Sequence, residues 1–166
     1  MNKKMTAKID FIKLQDGDTA RSCANMMTSS EPWLTLKISF QDALQNLTDP
    51  LHETYLAMIE GQIAGFIILQ LRGAFTGYVK TIIVHPDWRN QGIGTQLLQF
   101  AENQIFTEKP NVFLCVSSFN KKAQKFYRRL GYKKVGVLKN YIVAGHAEIL
   151  LRKTTGPIST FKKSSV

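Results

Sequence analysis

The feature that most constrains the fold is the segment over residues 78–94, which reads YVKTIIVHPDWRNQGIG. Its first part is mostly apolar or β-branched, which predicts a strand, and Pro86 cannot donate a hydrogen bond to a sheet, so we expect the strand to end at about His85. From Gly92 onward, apolar residues recur at helical spacing. The segment is therefore predicted to be a strand, a glycine-containing turn and a helix.

The turn predicts an anion-binding site. Glycine lets the backbone approach an oxyanion closely, and the unpaired N–H groups and the dipole of a helix N-terminus favour negative charge. Two nucleotide-binding motifs are excluded, because the dinucleotide fingerprint needs a small residue where Leu97 stands and the P-loop needs a Gly-Lys-Ser/Thr ending. The residues that we expect to bind the anion are Arg89, Asn90, Gln91, Gly92, Ile93, Gly94 and Thr95.

Two motifs in a fixed order point to a known family. The first, V-x-P-x-x-R-x-x-G-x-G, is formed by Val84, Pro86, Arg89, Gly92 and Gly94. The second, N-x-x-A-x-x-(F/L)-Y-x-x-x-G-(F/Y), is formed by Asn120, Ala123, Phe126, Tyr127, Gly131 and Tyr132. In both, the chain resembles the GNAT superfamily of N-acetyltransferases. The resemblance implies an α/β (α+β) domain with acetyl-CoA as the acetyl donor, in which about four helices flank a mixed, mainly antiparallel, splayed sheet of about seven strands.

The other predicted elements follow the GNAT order. A strand over residues 8–15 precedes a helix that the D-G-D sequence at residues 16–18 caps, and Ser39 with Asp42 caps a second helix. Further strands are predicted over residues 53–60, 62–72, 111–117, 133–141 and 146–153, with a tight hairpin at Gly61 and a helix over residues 120–130. We expect one N-acetyltransferase domain over residues 1–156 and a flexible tail over residues 157–166.

The charge of the chain raises a competing hypothesis. The formal net charge is +10 at pH 7, which would suit a nucleic-acid-binding protein. Eight of the 22 cations lie between Lys121 and Lys139, around the second motif. They form either a solvated helix face or, through residues such as Lys121, Lys122 and Lys125, a contact with the phosphates of coenzyme A. Because no nucleic-acid-binding motif accompanies the charge, we expect no nucleic-acid partner.

Cysteine and histidine usage predicts neither a disulfide framework nor a metal site. Cys23 and Cys115 are isolated, and the three histidines lack ligand spacing. The N-terminus lacks the pattern of a signal peptide, and no stretch reaches 18 uninterrupted apolar residues. We therefore expect a cytoplasmic protein without a membrane partner. The resemblance implies a homodimer, because many members of the family form dimers.

The resemblance also implies how the pantetheine arm is bound. In relatives the motif strand is bulged and separates from the fifth strand, so backbone groups of Ile82, Ile83 and Val84 are expected to contact the pantetheine arm and the thioester carbonyl. The predicted helix that follows supplies further cofactor contacts from Asn120, Ala123, Phe126 and Tyr127. Asn120 has an alternative role as the N-cap of that helix.

Tyr127 aligns with the tyrosine that in many relatives acts as general acid toward the coenzyme sulfur. A phenol near pKa 10 protonates the thiolate of a thiol near pKa 8.5 only uphill, by about 2 kcal/mol, so burial and hydrogen bonding must offset this difference. The alternative interpretation of Tyr127 is an aromatic residue that packs on the inner face of its helix.

The general base is not evident. Ribosomal-protein alanine acetyltransferases often carry a glutamate on the fifth strand, and this chain has Cys115 there. His85, Glu53 and Glu148 remain as candidates, and direct transfer is favoured over Cys115 as a covalent acetyl carrier. In relatives the segment of Trp33 and Phe40 helps to form the acceptor wall, although packing in the core is the favoured interpretation of these two aromatic residues.

The acceptor can be constrained by the cost of deprotonating it. At pH 7 a lysine amine near pKa 10.4 costs about 4.6 kcal/mol to deprotonate, whereas an α-amine near pKa 7.8 costs about 1.1 kcal/mol. Without an evident base, the sequence therefore favours a small primary amine or a peptide N-terminus as the acceptor. The alternative function is a non-catalytic coenzyme A-binding regulatory module.

Overall fold

A computed structural model describes residues 8–73 and 76–163 of the chain. Within these residues the fold has seven strands and four α-helices. In chain order they are β1 (Asp10–Lys13), α1 (Gly17–Thr28), α2 (Phe40–Thr48), β2 (His52–Ile59), β3 (Gln62–Gln70), β4 (Tyr78–Val84), α3 (Ile93–Glu108), β5 (Asn111–Ser117), α4 (Lys121–Arg129), β6 (Lys133–Lys139) and β7 (Ala147–Thr154). The predicted mixed α/β domain is confirmed.

All strands form one sheet in the order β1-β2-β3-β4-β5-β7-β6. Every neighbouring pair is antiparallel except β4 and β5, which are parallel. These two strands pair only at their N-terminal ends, through Tyr78 with Phe113 and Val79 with Leu114. Beyond Val79 the two strands part, so the splayed sheet that the resemblance implied is present.

The bulge expected in the motif strand lies at Lys80. Consecutive residues Ile68 and Leu69 of β3 pair with Thr81 and Val79 of β4, which leaves Lys80 as the extra residue. A bulge bends a strand and increases its twist. Lys80 therefore lies at the point where β4 leaves β5.

Each face of the sheet packs against its own helices. Helix α3 covers one face, and its Leu97, Leu98 and Ile105 are buried with Ile67, Val79, Val112, Leu114 and Val116 of the sheet. Helices α1 and α2 cover part of the opposite face, where Cys23, Met27 and Leu47 pack against Leu56, Phe66, Ile68 and Ile83. Because side chains alternate along β5, Phe113, Cys115 and Ser117 lie on the face of α1 and α2.

The predicted helix caps are present. Asp16 accepts a hydrogen bond from the Thr19 N–H at 2.8 Å and caps α1. Ser39 and Asp42 form a capping box at the start of α2. Asn120 caps α4 by accepting from the Ala123 N–H at 3.0 Å. Short-range hydrogen bonds thus define where three helices begin.

Two glycines take positive φ angles where turns require them. Gly61, at φ 77°, closes the β2–β3 hairpin together with Glu60, which also has positive φ at 49°. Gly131, at φ 92°, follows the end of α4. These conformations disfavour residues with a Cβ, so the predicted hairpin at Gly61 is confirmed, and Gly131 explains why α4 ends where it does.

The C-terminal segment of the described chain contacts α3. Ile158–Thr160 forms one turn of 3₁₀ helix, and Lys163 Nζ lies 2.6 Å from Glu108 Oε2. The domain boundary at residue 156 stays a prediction. No helix in the described ranges has both the length and the apolar character needed to cross a membrane.

Candidate active site

The turn between β4 and α3 presents a row of backbone donors. A 3₁₀ turn, Pro86–Trp88, follows β4, and Gly92 at φ 82° precedes the first residue of α3. Within the described part of the chain, the N–H groups of residues 90–95 donate to no protein acceptor. Such unpaired amides at a helix N-terminus attract an anion, and binding of an anion at this turn stays a prediction.

The turn lies against both neighbouring elements of the expected cofactor cleft. A Cβ added to Gly94 would lie 3.6 Å from both the Phe126 ring of α4 and a methyl of Val84 in β4. A Cβ added to Gly92 would meet nothing within 4 Å, so the outer side of the turn is open. The start of α3, the end of β4 and the middle of α4 therefore converge at one place.

Arg89 holds the turn to the end of β4. Its Nε donates to the Val84 carbonyl at 3.2 Å, and its guanidinium is exposed. The side chains of Ile82 and Val84 pack against the α3 cluster, and that of Ile83 packs against the α1–α2 cluster. These three side chains belong to the core, and their backbone lies where β4 has no pairing with β5.

Tyr127 is a buried phenol that faces the core between α4 and the sheet. Its ring packs edge-on against Phe126, at a centroid distance of 5.2 Å, and against Tyr132, at 5.9 Å. Among the described residues, none hydrogen-bonds its hydroxyl. Burial raises the pKa of Tyr127 above its ordinary value, which makes the phenol a weaker acid than a phenol in water.

The start of α4 closes the end of β5. Gln124 donates its Nε2 to the carbonyls of Ser117 and Ser118, at 3.1 and 3.0 Å. Lys121 Nζ also donates to the Ser118 carbonyl, at 2.6 Å. Lys122 and Lys125 are exposed on the outer face of α4. The capping role of Asn120 is thus present, whereas its contact with pantetheine stays a prediction.

Cys115, which occupies the position of the subfamily glutamate, lies on the sheet face opposite α3. It is half-buried, and burial raises the pKa of its thiol, with Glu148 acting in the same direction. Burial also raises the pKa of Tyr78 in β4, and a hydrogen bond with Cys115 adds to that shift. A thiol held protonated in this way is a weak nucleophile, which argues against a covalent acetyl carrier.

Glu148 lies beside this pair. In the β5–β7 register it is directly opposite Ser117, and the Ser117 hydroxyl donates to Glu148 Oε1 at 2.6 Å. Glu148 is 4% exposed, and burial raises the pKa of its carboxyl group. In the chain as described, no ion pair involves Glu148.

The two other candidate bases lie elsewhere. Glu53 in β2 accepts a hydrogen bond from the Tyr55 hydroxyl at 2.6 Å and pairs with Lys13 at 3.2 Å, and both partners lower the pKa of Glu53. His85 accepts from the Asp87 N–H and lines an open cleft of about 810 Å³ between α1 and the Pro86–Trp88 turn. Glu53 lies two strands away from β4, and His85 directly follows the end of β4 that is not paired with β5.

Trp33 and Phe40 are both partly buried against the cluster of α1 and α2. This position agrees with the packing interpretation of the two aromatic residues. In the described ranges, no group of three or more His, Cys, Asp and Glu residues could hold a metal ion.

Comparison with known proteins identifies the family to which the chain belongs. The sequence profile of the Acetyltransferase (GNAT) family matches residues 20–132. The chain belongs to this family. Its members are N-acetyltransferases that use acetyl-CoA as the acetyl donor. This GNAT chain is 30% identical to an N-alpha-acetyltransferase of Sulfurisphaera tokodaii over 111 residues, which cover 58% of this chain and 66% of that protein.

A second relative carries a different name. The chain is 33% identical to an aminoalkylphosphonate N-acetyltransferase of Salmonella typhimurium over 102 residues, which cover 57% of this chain and 66% of that protein. Both alignments span slightly less than two thirds of the relative.

Solved structures show the same fold. The ribosomal-protein-S18-alanine N-acetyltransferase of Escherichia coli superposes with a TM-score of 0.72 at 18% identity, over 90% of this chain and 96% of that one. An aminoglycoside 6'-N-acetyltransferase complexed with coenzyme A superposes with a TM-score of 0.71 at 18% identity, over 89% of this chain and 98% of that one. These likenesses support the fold of the GNAT domain and not a particular acceptor.

Sequence reasoning missed the contacts that depend on sheet register. The pairing of Ser117 with Glu148 joins residues 31 positions apart, and no local pattern marks it. The contacts of Gln124 with the end of β5 could have been suspected from the sequence, because an amide at the fourth helix position after an Asn cap can reach back to the preceding loop. The 3₁₀ turn after β4 could have been read from Pro86, which suits the first position of a helical turn.

Proposed function

We propose that this GNAT chain transfers the acetyl group of acetyl-CoA directly to a primary amine, which is a peptide α-amine or a small molecule. The observation that carries the proposal is the run of unpaired N–H groups over residues 90–95, next to the place where β4 and β5 part. These donors suit the diphosphate of coenzyme A, and the unpaired backbone of β4 suits its amide-containing arm. Phe126 of α4 lies beside Gly94 of the turn, and we include the exposed cations of α4 as contacts for the phosphates.

Tyr127 is proposed as the general acid. Its hydroxyl has no protein partner in the described residues, so it is available to a ligand atom. Burial raises the pKa of the phenol, and a thiolate placed in the same dry environment has its proton affinity raised as well. The two pKa values therefore stay close enough for proton transfer, which is the condition for an effective acid.

The acceptor is proposed from the relatives and from the cost of deprotonation. One relative is named for an α-amine and another for an aminoalkylphosphonate, and both groups are primary amines. A cytoplasmic location, a homodimer and the lack of a nucleic-acid partner stay predictions from the sequence.

The test is release of free coenzyme A from acetyl-CoA in the presence of defined amines. The panel contains pentapeptides that begin with Ser, Ala or Met, 2-aminoethylphosphonate, and Nα-acetyl-lysine amide. We expect transfer to the first two kinds of amine, and a Tyr127→Phe variant should lose about 100-fold in kcat while its affinity for acetyl-CoA stays within twofold. If the Tyr127→Phe variant keeps full turnover, Tyr127 is not the general acid.

A protein that binds acetyl-CoA and acetylates none of these amines would instead be a non-catalytic coenzyme A-binding module. The thiol of Cys115 in place of a carboxylate is the feature that favours this alternative.

A further inference from the structure

The sheet face opposite α3 carries a buried carboxylate that has no counter-ion within the described chain. Glu148 is 4% exposed, and its one hydrogen-bond partner there is the Ser117 hydroxyl at 2.6 Å. Burying an anion without a cation is costly, so a protein keeps such a group where a ligand supplies the missing charge or where its protonation is used.

The position of Glu148 fits the path of an acceptor. Ser117 is the last residue of β5, at the end where β4 has parted from β5. Neighbouring strands are about 4.8 Å apart, and the carboxylate contacts the Ser117 hydroxyl, so it lies over β5 and not over β6. The carboxylate of Glu148 therefore borders the gap between β4 and β5 on the sheet face opposite α3. Tyr127 and the turn of residues 90–95 lie on the face that α3 covers.

Among the described residues, the groups that face Glu148 do not include a cation paired with it. From β5 and β4 the titratable neighbours are Cys115 and Tyr78, whose neutral forms the Glu148 charge favours. From β6 the residue directly opposite is Leu138. On β7 itself, Arg152 lies four residues further along the same face and is exposed. His146 lies two residues before Glu148, with its ring against Phe119. Within the described residues, no cation forms an ion pair with the carboxylate.

We propose that Glu148 binds the acceptor as its ammonium ion and takes the proton that frees the nitrogen lone pair for attack. This proposal rests on the proposed acetyl transfer. The N–H bond of the ammonium breaks and its proton passes to a carboxylate oxygen of Glu148. The nitrogen then bonds to the carbonyl carbon of the thioester, and the C–S bond breaks with its electron pair on sulfur.

The remaining protons also balance. The thiolate receives the hydroxyl proton of Tyr127, and the proton that nitrogen loses as the amide forms restores Tyr127. Glu148 releases its own proton to water after the product leaves. Ser117 is a positioning residue in this scheme, because its hydrogen bond holds the carboxylate over β5 and favours the charged form.

The test compares Glu148→Gln with the wild-type protein, using the Ser-initiated pentapeptide and 2-aminoethylphosphonate as acceptors. At pH 7 we expect kcat/KM of Glu148→Gln to fall at least about 100-fold, with the dissociation constant for acetyl-CoA within twofold of wild type. The loss should shrink as the pH rises above the pKa of the acceptor, because the free amine then needs no base. A purely structural role would leave the same loss at every pH.

Two further variants keep the test decisive. Glu53→Gln makes the same chemical change at a carboxylate on β2 and should leave kcat/KM unchanged. Ser117→Ala removes the hydrogen bond that favours the charged carboxylate, so the acidic limb of the pH profile should move to higher pH. If Glu148→Gln does not fold, this shift decides the matter, and an unmoved limb overturns the proposal.

The outcomes separate the two proposals. If the wild-type protein acetylates these amines and Glu148→Gln does so equally well at pH 7, only the role of Glu148 is wrong. If the wild-type protein acetylates neither amine, the proposed function fails and the role of Glu148 fails with it.

Discussion

Two buried glutamates lie on opposite faces of the sheet, and they differ in their partners. Glu102 of α3, 7% exposed, accepts from Lys153 Nζ of β7 at 2.7 Å. Glu148 of β7, 4% exposed, has only the Ser117 hydroxyl within the described residues. The ammonium of Lys153 thus neutralises the carboxylate of Glu102 on the α3 side, whereas the carboxylate of Glu148 is left to the charge of a ligand. Burial alone does not mark a site, whereas burial without a counter-ion does.

The environment of Glu102 supports a structural role. Lys153 also lies over the Tyr132 ring, with Nζ 5.9 Å from the ring centroid. Burial raises the pKa of Tyr132, and Glu102 is the next cause of that shift. The ammonium therefore compensates a carboxylate and contacts an aromatic face at once, and it ties α3 to β7.

The largest expected effect comes from making Glu102 resemble Glu148. Lys153→Met removes the cation and leaves Glu102 as a buried charge without compensation. We expect the free energy of unfolding at pH 7 to fall by about 2 kcal/mol, below the 3–5 kcal/mol of fully buried pairs because Lys153 is 32% exposed. Urea denaturation measures the loss, and Lys153→Arg is the control that keeps the charge. A loss below about 0.5 kcal/mol would show that the Glu102–Lys153 ion pair does not stabilise the fold.

A smaller effect is expected from the reverse exchange, which gives Glu148 a cation. Leu138 is directly opposite Glu148 in β6, so Leu138→Lys places an ammonium beside the carboxylate. We expect kcat/KM to fall about tenfold, equivalent to about 1.4 kcal/mol, because the new ammonium competes with that of the acceptor. The free energy of unfolding should rise by about 0.5 kcal/mol, as for other cross-strand pairs of opposite charge.

The control for that exchange is Val137→Lys. Val137 is the preceding residue of β6, is 43% exposed, and pairs with Ile149 on the other face of the sheet. It adds the same charge without reaching Glu148, so kcat/KM should stay within about twofold of wild type. Equal losses in the two lysine variants would mean that added charge, and not its position, is responsible.

The smallest effect concerns how stability depends on pH. Burial raises the pKa of Glu148 in the folded protein above its unfolded value. Its contribution to stability is therefore fully present below the unfolded pKa and is lost as the pH rises through the folded pKa. Glu148→Gln should flatten this decline of the free energy of unfolding with pH. Glu53 is the opposite case, because its pKa is lowered in the folded protein. Glu53→Gln should therefore remove stability that the wild-type protein gains as the pH rises. Parallel stability curves for wild type and Glu148→Gln would contradict the assigned environment.

Much of the fold and of the cofactor side could be predicted because the determinants are close together in the chain. The Asp16 and Asn120 caps, the capping box of Ser39 and the turn around Gly92 each depend on contacts within about four residues. The acceptor side was left open, with three candidate bases, because proximity there depends on which strands pair and in which register.

The sequence by itself determined the order of the elements, the helix caps and the glycine turn with its free amides, since these follow from local hydrogen bonding and φ preferences. Only the tertiary structure decided where β4 leaves β5 and which buried glutamate receives a cation. The Glu102–Lys153 contact spans 51 residues and the Ser117–Glu148 contact spans 31. Such pairs form only after the sheet has set its register, and a one-residue slip of β7 would exchange the faces on which its charged side chains lie.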